Sequence, residues 1–341
     1  MPTIAVNELT DLLHHIYTGV GVPAHEAEVV ARNQVDANLC GHDSHGALRT
    51  PIYVKLIREG RVRPGAQLEI VEEHGASLVV DGHRGLGFVI TEQAQDLAMA
   101  KARQVGVTAL SIREQSHVGR LGAYTERAAA HGFAAVMMAD SGRGPKSVAP
   151  FGGSDRRLGT NPISFAIPAD LDGPIMLDMA TSAVAGGKIK VARSKGEPMG
   201  HGWAIDAHGN LTTDPEDFYA GGALLPLGGD QAHKGYGLSF VVESLAAVLS
   251  GIGYGADAEG FPNDGILMIL LNIEMFRPLA AFRAEMAEFA RYVKASPAAP
   301  GVSEVLYPGE IEVRTRLRRR AEGIDLPPKV WDELQELSAS V

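Results

Sequence analysis

The chain has 341 residues and a net charge of −10, with 45% apolar and 21% charged side chains. That balance excludes a chain disordered along its length, and the negative charge argues against non-specific nucleic-acid binding. A chain this long folds without a disulfide or metal staple, and the single cysteine, Cys40, has no metal-ligand spacing around it. Its 40 glycines exceed an average composition, which calls for many tight turns or for backbone that comes close to a ligand.

The opening MPTIAVNELTDLL has no basic stretch followed by an apolar one, so no export signal is expected. No apolar run approaches the ~20 residues that span a bilayer, and a soluble cytoplasmic protein is the reading. Val6, Leu9, Leu13, Ile16 and Val20 recur at helical spacing. A second helix is predicted over 23–39, opened by Pro23 and closed by Gly41, and a third from Asp43 past Tyr53. Leu68/Ile70 and Leu78/Val80 alternate as strands around a His74-Gly75 turn.

Between about 85 and 250 the pattern mixes strands and helices. Runs at 107–112, 133–138, 163–167 and 175–179 have strand length, and 91–105 and 122–131 read as helices. A strong helix is predicted over 235–250, with Leu238, Val241, Val242, Leu245 and Leu249 on its apolar face. Beyond a further apolar run at 266–271, Leu279, Phe282, Met286, Phe289 and Val293 mark an amphipathic helix. Pro297, Pro300 and Pro308 separate it from two last helices. One of these carries Arg314, Arg316, Arg318, Arg319 and Arg320 among acidic neighbours, which suits a solvated or subunit-facing helix better than a nucleic-acid patch. The whole reads as α+β, with a helical part from residues 1–75 and 275–341 and a mixed sheet-and-helix part over 76–274.

Two constellations carry chemistry. In GHDSHGALR at 41–49, Asp43 or Ser44 would cap the third helix and place His45 and Arg49, four residues apart, on one face. The helix N-terminus attracts anions and the guanidinium forms a bidentate clamp for a carboxylate, with His45 beside it to move a proton. Tyr53 falls on the same stripe. An ordinary capped surface helix fits the spacing equally well, and a protonated His45 there would need a compensating carboxylate such as Asp43. In SHVGRLG at 116–122, at a strand-to-helix junction, His117 is a second acid/base candidate between residues that permit close backbone approach.

Glycine-rich loops at 141–145, 152–153, 158–162, 186–188 and 233–237 offer backbone N–H groups for phosphates, with Lys234 as a counter-charge. Each is weak alone. No G-x-G-x-x-G lies between a strand and a helix, and no P-loop, G-x-S-x-G elbow or metal-ligand spacing occurs. Any nucleotide is therefore held without a Rossmann fingerprint, and no metal is expected.

Together GHDSHG…R at 41–49, SHVGRLG, VAPFGG at 148–153, LGTNP at 158–162, LDMATS at 177–182, HKGYG at 233–237 and LYPGE at 306–310 resemble the type-2 malate/L-lactate dehydrogenase family, also called L-sulfolactate dehydrogenase-like. VKASP at 293–297 and PGE-x-EV at 308–313 make the chain most similar to its hydroxycarboxylate dehydrogenase B branch. His42 and Thr50-Pro51 stand where many members have a small residue and Leu-Pro.

The resemblance implies a non-Rossmann fold with a largely antiparallel sheet, a homodimer, and NAD-dependent interconversion of 2-oxo and 2-hydroxy acids, NADP being open. Reduction of cyclic imino acids, or a ureidoglycolate or sulfolactate dehydrogenase, is the alternative. It implies His45 or His117 as the proton-transfer residue. It also implies Arg49 as carboxylate ligand and Ser44, Tyr53, Thr160 and Asn161 around the substrate. By the same matching the cofactor would meet His45, Gly119, Arg120, Leu121, Ser141, Met176, Leu177, Asp178, Met179, Ala180, His233, Lys234, Gly309 and Glu310.

Overall fold

A computed structural model of the chain describes residues 2–140, 142–255 and 263–341. A short strand β1 (Thr3–Ile4) leads into helices α1 (Val6–Gly19) and α2 (Ala24–Leu39). Leu9, Leu13, Ile16 and Tyr17 are the buried stripe of α1, as the helical spacing requires. Tyr17 Oη donates to Gln34 Oε1 across the α1–α2 contact at 2.7 Å, so the buried phenol is satisfied.

The helix expected from Asp43 onward does not form as one piece. Two 3-10 turns, Asp43–His45 and Ala47–Arg49, come first, and α3 (Thr50–Arg58) begins with Pro51 in its opening turn. Gly46 between them is extended, with φ −87° and ψ −151°. Asp43 is not a helix cap: its carboxylate accepts from Asn38 Nδ2 at 2.7 Å and from the Arg319 guanidinium at 2.7 and 3.1 Å. Asn38 Oδ1 takes the Ala47 N–H at 2.9 Å and Gln34 Nε2 reaches the Gly46 carbonyl at 3.1 Å. Two amides one turn apart on α2 thus supply partners that a continuous helix would have satisfied itself.

The middle of the chain runs β2 (Glu69–His74), β3 (Ser77–Gly85), α4 (Gly87–Val105), β4 (Val107–Gln115), α5 (Gly122–Ala130), β5 (Phe133–Ala139), β6 (Ile163–Ile167) and β7 (Ile175–Met179). There follow α6 (Gly186–Lys195), β8 (Ala204–Ile205), β9 (Leu211–Thr212), α7 (Pro215–Tyr219), β10 (Ala223–Leu224), α8 (His233–Val242) and β11 (Ile266–Asn272). Seven strands make one mixed sheet in the order β2-β3-β4-β11-β5-β6-β7, in which only β3 and β4 pair in parallel. That pair is joined through α4, the crossover parallel strands need. Ala94, Ala98 and Ala102 let α4 lie close on Leu110, Ile112 and Met268 of the sheet. A separate small core under β8–β10 gathers Val148, Ile189, Met199 and Leu224.

The chain closes with α9 (Leu279–Lys294), α10 (Glu310–Glu322), β12 (Ile324–Asp325) and α11 (Pro328–Ala339). β12 pairs with β1, Ile4 opposite Ile324, so the two chain ends meet beside α1, α2 and α11 in one apolar core. No helix among the described residues is long and apolar enough to cross a membrane.

Two apolar stripes read from the sequence face the core only in part. On α8 and the π-helical turn Glu243–Val248 that continues it, the buried side is Gly235, Ser239, Val242, Glu243, Ala246 and Ala247. Val241 and Leu249 are exposed, because the interior contact is a polar one made by Glu243. On α9 the buried residues are Ala287 and Ala290, and Phe289 and Val293 are exposed. Of the α10 arginines, Arg314, Arg316 and Arg319 are taken up by Glu304 and Glu310, by Asp36 and Glu126, and by Asp43, respectively.

Candidate active site

The turns at 43–49, the start of α3, the loop after β4 and the ends of β5 and β11 enclose a cavity of about 360 Å³. His45, Arg49, Tyr53, His117, Gly119, Leu121 and Thr160 line it, so residues 115 positions apart in sequence converge as the motifs imply. Arg49 has its Nε buried without a hydrogen-bond partner, and no carboxylate pairs with it among the described residues. An orphaned guanidinium is costly in a fold and is well matched to a bound carboxylate.

The loop carrying His117 is held from both sides. Gly87 at the start of α4 donates its N–H to Ser116 Oγ at 2.8 Å, and a Cβ there would lie 2.0 Å from the Ser116 carbonyl oxygen. Only glycine allows α4 to abut the loop so closely. Gly119 has φ +74°, and a Cβ on it would meet Phe88 at 2.4 Å. His117 Nδ1 receives the Gly119 N–H at 3.1 Å and lies 2.7 Å from Tyr53 Oη. With Nδ1 an acceptor, the ring proton belongs on Nε2, which has no partner among the described residues.

The His45 and His117 rings stack at 5.8 Å and 11°. Burial, then the Arg49 charge, holds the His117 pKa well below the usual histidine value, and His45 adds to it. Burial likewise lowers His45, to about 4, with Arg49 and His42 reinforcing it. Both rings are neutral at physiological pH, and His45 Nδ1 is 3.1 Å from Ser44 Oγ. Burial raises the Tyr53 phenol above its ordinary value, against a lowering influence from Arg49.

Two titratable residues in the cavity were not singled out from the sequence: Asp140 and Asp264. Asp140 follows β5 and accepts the Gly265 N–H at 2.8 Å; Asp264 precedes β11 and accepts the Val118 N–H at 3.1 Å. Burial pushes Asp264 up to about 8, with Asp140 adding to it, and burial pushes Asp140 up to about 7. The available signal was a lone carboxylate closing an apolar strand run, as in MMAD at 137–140, where α/β proteins often place ligand-facing groups.

The other expected site residues are scattered. Asn161, at φ +37°, does not line the cavity; it is fully buried and its Nδ2 donates to Glu243 Oε2 at 2.8 Å. The Arg120 guanidinium is buried against Asp36 at 2.7 Å and Met176 Sδ at 3.7 Å. Asp178 accepts the Gly122 N–H at 2.8 Å, and Glu310 accepts from the Tyr307 N–H at 3.1 Å and from Arg314 and Lys294. The side chains of Arg120, Asp178 and Glu310 are thus engaged within the chain. Leu177 is exposed while Met179 and Ala180 are half-buried, and Gly309, at φ +92°, packs on Met176. His233 and Lys234 open α8 in exposed positions, the His233 ring 5.8 Å from Phe151. Ser141 lies outside the described residues.

The sequence pattern of the malate/L-lactate dehydrogenases matches residues 4–335. A malate dehydrogenase of Pyrococcus abyssi is 37% identical over 99% of this chain and 94% of its own. Hydroxycarboxylate dehydrogenase B of Escherichia coli O157:H7 is 37% identical over 98% and 92%. The solved sulfolactate dehydrogenase of Methanocaldococcus jannaschii superposes with a TM-score of 0.91 at 34% identity, over 99% of this chain and 97% of that one. The chain belongs to the malate/L-lactate dehydrogenase family. It is thereby an oxidoreductase of the 2-hydroxy acid dehydrogenase class.

Proposed function

We propose that this enzyme interconverts a 2-oxo acid and a 2-hydroxy acid with a nicotinamide dinucleotide, NAD or NADP. The observation that carries the reading is the unpartnered Arg49 guanidinium in the same cavity as a histidine whose tautomer is fixed. The cofactor supplies or accepts the hydride at C2 when bound.

The chain has room for such a group. Gly186 has open space beside it and a Cβ built on Gly187 would lie 3.8 Å from Ser44 Cβ, so the N-terminus of α6, which has no side-chain cap, borders the His45 turn and faces phosphate with its first N–H groups. Gly119 and Leu121 at the cavity wall, with the backbone of 176–180 and 309–310, are the further residues we assign to the cofactor. Lys234 is a counter-charge.

Arg49 binds the substrate carboxylate through its fork and so orients C2. His117 donates Nε2–H to the C2 oxygen as negative charge develops there, a role open to a neutral imidazole. The Tyr53 hydroxyl, 2.7 Å from Nδ1, keeps its proton and holds the ring in this tautomer, and the proton given to the oxygen is replaced on His117 from solvent water when product leaves. His45 stacks on His117 and excludes water from it. The non-Rossmann arrangement and a homodimer belong to the same reading, the dimer supported by exposed apolar side chains such as Phe240, Leu249 and Tyr292. The test is oxidation of NADH and NADPH by the purified chain with pyruvate, oxaloacetate and 2-oxoglutarate, set against piperideine-2-carboxylate. Turnover of 2-oxo acids is expected; turnover of the cyclic imine alone would replace the proposal with imine reduction.

A further inference from the structure

We propose that this cavity is built for 2-oxo acids bearing a single negative charge, and that Asp140 and Asp264 select against a second anionic group on the substrate. The inference rests on the 2-oxo acid reading of the site.

Charge arithmetic carries it. Among the described lining residues Arg49 is the one guanidinium or ammonium, and both histidines are neutral. Once the substrate carboxylate takes Arg49, no fixed positive charge is left in the wall. Malate, oxaloacetate and sulfolactate each carry another carboxylate or sulfonate, which has to be desolvated against a cation or several donors.

The wall supplies carboxyls in its place. Asp140 and Asp264 are 4% and 8% exposed, and neither has an ion-pair partner among the described residues. They are neighbours because β5 and β11 pair antiparallel, Ala139 opposite Ile266, which sets the residue just past one strand beside the residues just before the other. Asp140 N–H donates to the Gly265 carbonyl at 3.3 Å, and Gly265 N–H donates back to Asp140 Oδ1. Lys146, whose charge reaches Asp140, is itself held by Glu243 at 3.0 Å and the Gly142 carbonyl at 2.7 Å.

Above about pH 8 Asp140 is ionised and Asp264 increasingly so, and in that form the pair accepts from a hydroxyl and repels a carboxylate. The substrate side chain that fits is therefore neutral, small and able to hydrogen-bond, as in 3-hydroxypyruvate.

The experiment compares kcat/KM for pyruvate and 3-hydroxypyruvate with that for oxaloacetate and 2-oxoglutarate, at about pH 8.5, above the raised carboxyl pKa values, and at a saturating level of whichever reduced cofactor the enzyme accepts. The monoanions are expected to lead by about tenfold or more. Asp264→Asn and, separately, Asp140→Asn should each move the ratio toward oxaloacetate by about tenfold. A wild-type preference for oxaloacetate overturns the inference, as does an unchanged ratio in folded variants. If one variant fails to fold, the other variant and the wild-type ratio still decide. Turnover of none of the four acids would instead remove the reading of the site itself.

Discussion

The molecule treats its buried and half-buried arginines in two opposite ways. Arg120 and Arg316 sit between Asp36 and Glu126, with Arg120 Nη2 2.7 Å from Asp36 and Arg316 Nε 3.2 Å from it. Burial alone would raise the Asp36 pKa, yet Arg120 and Arg316 together hold it below the ordinary carboxylate range. That network ties α2, α5, α10 and the loop after β4 to one another. Arg49, some way along the same wall of helices, has no such partner. Charge balanced inside the chain ties elements of the fold together, and the charge left open is the one we assign to a substrate carboxylate.

The sharpest way to break this contrast is at the chemistry. His117→Gln should lower kcat for 2-oxo acid reduction by about 10²–10⁴-fold, since glutamine lacks a transferable proton. His45→Gln should cost far less if, as we propose, His117 is the donor. Single-turnover rates of reduced-cofactor oxidation separate the two; the opposite ranking would transfer the donor role to His45.

Arg49→Lys comes next. A point charge cannot reproduce the fork, and kcat/KM should fall by about a hundredfold, mostly through KM. Stability should change little, since the half-buried guanidinium has no hydrogen-bond partner in the fold to lose. A large drop in Tm would mean that Arg49 serves the fold, which would erase the distinction from Arg120.

Arg316→Ala tests the other side of the contrast. It leaves Asp36 and Glu126 partly buried with Arg120 as their remaining guanidinium, which should cost about 1.5–3 kcal/mol of stability. The fraction that stays folded should retain kcat/KM within a few-fold. Denaturant melts read with activity assays on the folded fraction settle it, and a loss of activity without a loss of stability contradicts the structural role.

How far the sequence discloses these regions depends on how local their causes are. The strand runs at 107–112, 133–138 and 266–271 are local apolar patterns, and all three became strands of the sheet. The loop at 116–122 was legible because its glycines and histidine are contiguous. The turns at 43–49 were not, because Asn38 and Gln34 on α2 offer hydrogen bonds that compete with a helix. The inner face of α8 was hidden for a similar reason. Periodicity marks apolar residues, whereas this helix buries Glu243 against Lys146 and Asn161, partners 97 and 82 residues away. Asp264 was still less accessible, since it meets Val118 across 146 residues of chain.

The two carboxyls also give the contrast its finest test, through the pH dependence of stability. Asp140 and Asp264 titrate near 7 and 8 in the folded chain, against 3.8 for a free aspartate. Between those values the folded state holds more protons than the unfolded one, so stability falls as pH rises. The histidines act in the other direction: His45, lowered to about 4 by burial, contributes stability above its ordinary pKa that is lost as pH falls toward 4. Between about pH 6.5 and 8.5 the histidine contribution is complete and the carboxyl contribution is still being lost. Tm of the wild type should decline over that window, and the Asp140→Asn/Asp264→Asn double variant should decline less. Asp178, whose buried carboxyl is also raised, remains in both proteins and cancels in the difference. Parallel Tm profiles for the two would mean that the cavity carboxyls are ionised throughout and already balanced, so that Arg49 would no longer be the only charge in that wall left open for a ligand.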